Sequence, residues 1–250
     1  MKFSIITASF NSESTIRDTL DSIMEQTFKD FEILVIDGDS TDSTCEIVES
    51  YNDKRIKLFS EKDKGIYYAM NKGYKKSTGD FIGFLNSDDF FAHTNVLKLY
   101  LDQFNSGYDC CYGDIQYVTN VSKKICKPVR LWKSGEYEKK RLSLGWIPPH
   151  PSFYAKRELF ERLGKFDINY KFASDFDLIC RFISCDKTRI KYLEGIQVKM
   201  RIGGITNKSF KNIYLGNKEI LNSLKKNKLK PVTFFFLYKI LERFKQYLSA

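Results

Sequence analysis

At 250 residues with 42% hydrophobic content, the chain is long enough for one large domain, or one domain with a C-terminal appendage. A formal charge of +10 implies an acidic partner: a nucleic acid, a phosphorylated substrate or an anionic membrane surface. Six cysteines without a C-x-x-C pair, and only two histidines, argue against a zinc site and for a reducing compartment, and no run of about 18 apolar residues is present to span a bilayer.

Met1-Lys2 leads straight into a strand over Phe3 to Ala8, an N-terminus without a secretory signal. Ser9-Phe10-Asn11-Ser12 is a polar break, and no G-x-G-x-x-G or P-loop motif follows it. Ile16, Leu20, Ile23 and Met24 then recur at helical spacing, with Ser12 or Ser14 as N-cap. Phe31 to Asp37 is a second apolar strand ending in Asp37-Gly38-Asp39-Ser40-Thr41-Asp42. A helix through Cys45, Val48 and Tyr51 and a third strand, Ile56 to Phe59, complete a β-α-β-α-β alternation. That alternation predicts a parallel sheet with right-handed crossovers. Lys64-Gly65 stands at the entrance of a helix carrying Ile66, Met70 and Tyr74, where an anionic group is well received.

Gly79 to Phe91 is the stretch around which the chain is organised. Phe81, Ile82, Phe84 and Leu85 form a nearly all-apolar strand, which stops at Asn86-Ser87-Asp88-Asp89. Two adjacent carboxylates after a buried strand are costly unless something cationic meets them. A divalent cation carrying a diphosphate suits that place, because ligands of open α/β sheets sit at the carboxyl ends of the strands. The same turn also reads as a cap for the helix after it.

That helix holds Val96, Leu97, Tyr100 and Leu101; a fifth strand is expected over Tyr108 to Tyr112, ended by Gly113-Asp114. Residues 115–145 are basic and poorly periodic, predicting antiparallel excursions or a mobile loop. The three prolines of Trp146 to Pro151 exclude a helix there. Arg157 to Leu163 is a short helix ended by Gly164. Ser174 or Asp175 reads as the N-cap of a helix with Leu178, Ile179, Phe182 and Ile183 on its apolar face. Arg189 to Leu193 and Ile196 to Met200 are expected as strands around Gly195. Residues 207–250 form a helical tail with ten Lys/Arg against Glu219 and Glu242.

Taken in order, these motifs resemble a family 2 inverting glycosyltransferase of the GT-A fold, of the bacterial surface-polysaccharide type. The residues that carry the resemblance are Thr7-Ala8-Ser9-Phe10-Asn11, Gln26-Thr27, the run from Asp37 to Asp42, Asp63-Lys64-Gly65-Ile66-Tyr67 with Ala69-Met70-Asn71-Lys72-Gly73, the Asn86–Asp89 turn, and Ser174-Asp175-Phe176-Asp177-Leu178 with Arg181. The resemblance implies a Rossmann-like, mostly parallel sheet flanked by helices over residues 1–206, with a basic helical extension over 207–250. It implies that Thr7, Ser9, Asn11, Asp37, Asp39, Lys64, Gly65, Asn71, Asn86 and Asp88 meet a UDP-linked sugar donor. Asp88 and Asp89 would hold Mn²⁺ or Mg²⁺, Asp175 would be the general base, and His150 and Asp114 would meet a glycan or polyprenyl-linked acceptor.

Three departures from the family pattern stand out. Gly38 replaces an aspartate, Asn86 opens the D-x-D position, and Tyr68 stands where the nearest subgroup has aspartate. A degenerate, inactive transferase is therefore one alternative. Others are a sugar nucleotidyltransferase, disfavoured by Ser9-Phe10-Asn11-Ser12 in place of a glycine-rich loop, and a non-catalytic basic, membrane-associated nucleotide-binding protein. No motif for nucleic acid appears, so none is expected as a partner. The tail joins a lysine cluster, Lys225, Lys226, Lys228 and Lys230, to Val232, Phe234, Phe235, Phe236, Leu237, Ile240, Leu241, Phe244 and Leu248. It reads either as an interfacial helix on the inner face of the cell membrane or as a helix closing the core.

Overall fold

A computed structural model of the chain describes residues 1–119, 125–203, 210–236, 238, 239, 241 and 246. Leu237, Ile240, Phe244 and Leu248 of the tail, and residues 204–206 before it, lie outside the described residues. The first half is the expected alternation. Strands β1 (Phe3–Ser9), β2 (Phe31–Asp37), β3 (Ile56–Ser60) and β4 (Phe81–Phe84) lie parallel in the order β3-β2-β1-β4. Helices α1 (Ile16–Met24), α2 (Thr44–Glu49) and α3 (Ile66–Lys76) make the crossovers. The strands are apolar on both faces because both are covered. On β1, Ile6 joins one core cluster and Phe3 and Ile5 the other; on β2, Leu34 and Ile36 alternate in the same way with Ile33 and Val35. Helix α3 sits tight on this sheet because position 73 is glycine: a Cβ there would meet Ile6 Cγ2 at 2.4 Å.

The second half mixes directions. β8 (Tyr154–Lys156) pairs antiparallel with β4 and with β6 (Cys110–Val118), and β9 (Ile190–Arg201) runs parallel to β6. β5, only Phe90–Phe91, pairs antiparallel with β9. The basic segment after β6 includes the antiparallel strand β7 (Pro128–Trp132). Helices α4 (Val96–Asn105), α5 (Lys139–Leu142), α6 (Arg157–Leu163), α7 (Ser174–Ser184) and α8 (Phe210–Lys226) complete the described elements, with a 3-10 turn at His150–Ser152.

Four expectations are corrected. Gly113-Asp114 does not end the fifth strand: β6 runs through it to Val118 and merely loses register against β9 there. The two strands around Gly195 are one, β9, which absorbs Gly195 at φ 103°. Ser12 and Ser14 do not cap α1; its cap is Thr15, and Ser12 instead turns its backbone carbonyl to Thr15 and Ile16 N–H. Ala173, not Ser174 or Asp175, is the cap residue of α7, with no side-chain cap of its own.

At the end of the sheet away from the acidic turns, Glu32 is a buried carboxylate held by Lys2, Lys57, Ser4 and Thr78. Burial raises its pKa, but these donors overcome that and hold it well below the usual carboxylate range. The C-terminal extension shares the core of the second half of the sheet domain. Leu224 and Phe235 are buried in the same cluster as α7, and a Cβ at Gly145 would strike the Phe235 ring at 2.3 Å.

Candidate active site

The C-terminal ends of β1, β2 and β4 converge on one rim, and each ends in a polar turn. The β2 turn is built around Asp37. Its carboxylate is fully buried and accepts from Ser9 Oγ (3.0 Å), Ser40 N (2.8 Å), Ser40 Oγ (2.6 Å), Ser60 Oγ (2.8 Å) and Cys45 Sγ (3.4 Å). Burial raises its pKa, yet the Ser40 donors and the other hydroxyls outweigh it and pull the carboxyl down. A carboxylate so occupied shapes the turn. Asn11, at φ 47°, braces the same turn by accepting from Thr41 N and donating its own N–H to Ser40 Oγ. Asp39, at φ 69°, is exposed on the rim. Phe10 is 62% exposed beside it, and its ring lies over Gly38, where a Cβ would approach to 3.4 Å. Thr7 is buried beneath, with an unpartnered hydroxyl among the described residues.

The β4 turn carries the paired carboxylates. Asp89 is fully buried and accepts from the backbone N–H of Arg201 and from Asn86 Nδ2, both at 3.3 Å. Asp88 is partly buried, and its carbonyl accepts from Arg201 Nη1 at 2.7 Å. Burial and the neighbouring Asp88 push Asp89 well above the usual carboxylate range; burial also raises Asp88. Arg201 is the cation that a buried acidic turn demands. It is 2% exposed, pairs with Asp18 of α1 and lies 4.9 Å over the Phe90 ring. Thr19 of α1 adds a bond to Asp89 O at 2.7 Å, and Ser12 and Ser87 hydroxyls join the first and fourth turns at 2.8 Å.

The donor chemistry of this turn fits a hard divalent ion. It offers two carboxylates and an amide oxygen, Asn86 Oδ1, that is buried without a partner among the described residues. Asp88 is the less buried of the two carboxylates.

Asp175 is linked to β4 through aromatic side chains. It stands second in α7, and its Oδ1 accepts from Phe176 N (2.8 Å) and from the Tyr67 hydroxyl (3.3 Å). Burial and the nearby Asp175 charge keep the Tyr67 phenol protonated. Tyr67 stacks on Phe166 at 5.6 Å. Phe166 also meets Phe84, the last residue of β4, at 4.9 Å and His150 at 5.9 Å, while His150 stacks on Phe84 at 5.7 Å. This aromatic box joins Asp175 to the strand that bears the acidic turn. Burial pushes the His150 imidazole below its ordinary value against the pull of Asp175, and its Nε2 is buried without a partner among the described residues.

The other candidates are placed as follows. Asn71 lies one turn beyond Tyr67 on α3 and clamps the Phe166 backbone, donating to its carbonyl (2.9 Å) and accepting from its N–H (3.0 Å). Its side chain therefore seats the aromatic box. Lys64 and Gly65, the latter at φ 132° and capping α3, are exposed on the rim. Asp114 is buried mid-strand and committed to Tyr192 (3.0 Å to each oxygen) and Ser134 N (2.7 Å). Sequence reasoning missed Arg201, because a lone arginine at the end of a strand carries no local signal of the turn it neutralises.

The family model described as glycosyl transferase family 2 matches residues 4–164. A PGL/p-HBAD biosynthesis glycosyltransferase of Mycobacterium bovis is 27% identical over 212 residues, covering 82% of this chain and 79% of its own. The Escherichia coli UDP-Glc:alpha-D-GlcNAc-diphosphoundecaprenol beta-1,3-glucosyltransferase WfgD is 37% identical over 121 residues; the match covers 48% of this chain and 47% of that one. Among solved structures, Staphylococcus aureus TarS 1-349 in complex with UDP-GlcNAc superposes with a TM-score of 0.70 at 22% identity, over 90% of this chain and 66% of that one. The GT-A architecture expected from the sequence is thereby borne out.

Proposed function

Because this chain belongs to glycosyl transferase family 2, we propose that it is an inverting, metal-assisted transferase. It moves a sugar from a UDP-linked donor to a hydroxyl of a glycan or polyprenyl-linked acceptor, in surface-polysaccharide synthesis. The family match and the transferase relatives support glycosyl transfer from a nucleotide sugar. Within that class, the observation that carries the reading is the aromatic box, which brings Asp175 to the strand ending in Asp88-Asp89.

The roles follow from accessibility. With Asp37 saturated, the nucleobase contact falls to exposed Asp39, with the Phe10 ring as a stacking wall over Gly38. Lys64 and the N-terminus of α3 face the anionic part of the donor. Asp88, with Asn86 and Asp89 behind it, would hold Mn²⁺ or Mg²⁺, which when bound neutralises the departing nucleoside diphosphate. Asp175 takes the proton of the acceptor hydroxyl as that oxygen attacks the anomeric carbon. A single base and in-line displacement invert the anomeric centre. His150, whose buried Nε2 has no partner among the described residues, would bond the acceptor beside Asp175. The test is transfer from UDP-sugars to a polyprenyl-diphosphate-linked saccharide, with the product anomer read by NMR. UDP release with inverted configuration is expected; a retained anomer sinks the mechanism.

No helix among the described residues is long and apolar enough to cross a membrane. The tail supports a peripheral contact at the inner face of the cell membrane. Phe235 is buried, whereas Phe234 and Phe236 are 73% and 47% exposed next to the lysine cluster. Apolar rings beside basic residues suit anionic lipid, where each basic residue adds about 1 kcal/mol. The full chain should float with anionic liposomes at low salt, and the double variant Phe234→Ser, Phe236→Ser should not. Equal flotation of both, or of neither, removes these rings from the contact.

A further inference from the structure

Three consecutive backbone N–H groups lead into α7, and all three donate to one carboxylate. Lys171 N reaches Glu219 Oε1 at 3.0 Å; Phe172 N and Ala173 N reach Oε2 at 2.8 and 3.0 Å. Glu219 is no local cap: it comes from α8, in the C-terminal extension. Helix α7 begins at Ala173 with no side-chain cap of its own, so its approach would otherwise leave those donors to water. Helix α8 is fixed to α7 by contacts that do not involve Glu219. Ser223 Oγ donates to Asp177 at 2.9 Å, Lys226 pairs with Asp177 at 3.8 Å as well as with Asp167 in the preceding loop at 2.8 Å, and Leu224 is buried in the core.

We propose that Glu219 is a positioning residue for Asp175, so that the C-terminal helix completes the seat of the base. This rests on the reading of Asp175 as the base. Asp175 is only two residues beyond Ala173, the last N–H that Glu219 holds. Its carboxylate must meet both the Tyr67 hydroxyl and the His150 side of the aromatic box. The backbone at 171–173 sets where α7 starts and hence where that carboxylate points. A base displaced by a fraction of an ångström leaves the acceptor oxygen out of line, while the donor-binding turns of β1, β2 and β4 are untouched.

The test is a double-mutant cycle in the full chain. Glu219→Ala should lower kcat by about tenfold or more with the donor KM unchanged. Glu219→Gln, which keeps one acceptor oxygen, should recover part of that loss, and it carries the same cycle if the alanine variant fails to fold. In an Asp175→Asn background, either Glu219 substitution should add no further loss. Wild-type kcat in Glu219→Ala, a rise in donor KM that accounts for the loss, or an equal loss in both backgrounds overturns the proposal. A fully active Asp175→Asn enzyme is a separate result, seen without any Glu219 variant, and it removes the base assignment itself.

Discussion

Asp175→Asn should bind a nucleotide-sugar donor as the wild type does and lose transfer by about 10²-fold or more, the usual contribution of a positioned base. The substitution is nearly isosteric. Asparagine keeps an oxygen for Phe176 N–H and the Tyr67 hydroxyl, so the start of α7 and the aromatic box should stay as they are. What it loses is the ability to take a proton. Calorimetric titration with the donor, beside the single-turnover rate of transfer, separates the two effects. If Asp175→Asn transfers at the wild-type rate, another group takes the acceptor's proton. His150 is then the next candidate, because its imidazole is kept neutral by burial and its Nε2 has no partner. A parallel loss of donor affinity would instead make Asp175 part of the donor site.

The parts of this site that were legible in sequence are those where one short segment does the whole job. The apolar runs of β1, β2 and β4 announce strands covered on both faces, and the acidic residues after them mark the rim. The parts that were not legible depend on partners far apart in the chain. Arg201 reaches Asp88 from 113 residues away, and Glu219 reaches Phe172 from 47. Asn71 and Tyr67 belong to the signature segment, yet its pattern does not say that their side chains turn to Phe166 and Asp175 rather than to a donor. Asp114 resembled a strand-ending carboxylate because Gly113 precedes it. In the fold, Gly113 is small for a different reason: a Cβ would meet Gln197 Cγ at 2.2 Å where β6 and β9 lose register. The two-residue β5 is too short for any periodicity to reveal.

The acidic turn supports the second large effect, and Arg201 decides how the two carboxylates divide the work. Sequence reasoning asked for a cation beside Asp88-Asp89, and Arg201 supplies one from within the protein. It does so asymmetrically. The main-chain N–H of Arg201 bonds the Asp89 carboxylate, while its guanidinium takes the Asp88 carbonyl, so neither bond engages the Asp88 carboxylate. Asp88→Ala should therefore fold normally and weaken UDP binding in the presence of Mn²⁺ by about 10²-fold, since Asp88 would be the less buried of the carboxylates that hold the ion. Asp89→Ala should weaken binding too, but with a clear fall in melting temperature. It removes a buried carboxylate that bonds the Arg201 N–H and Asn86 Nδ2 and leaves those donors unsatisfied, a loss of about 1–3 kcal/mol. Calorimetric titration of UDP with Mn²⁺ and with EDTA, beside thermal melts of both variants, reads both effects. Equal UDP binding with Mn²⁺ and with EDTA in the wild type would show that the diphosphate is held without a metal. A melting temperature lowered by Asp88→Ala but not by Asp89→Ala would reverse the assignment of outer and inner carboxylate.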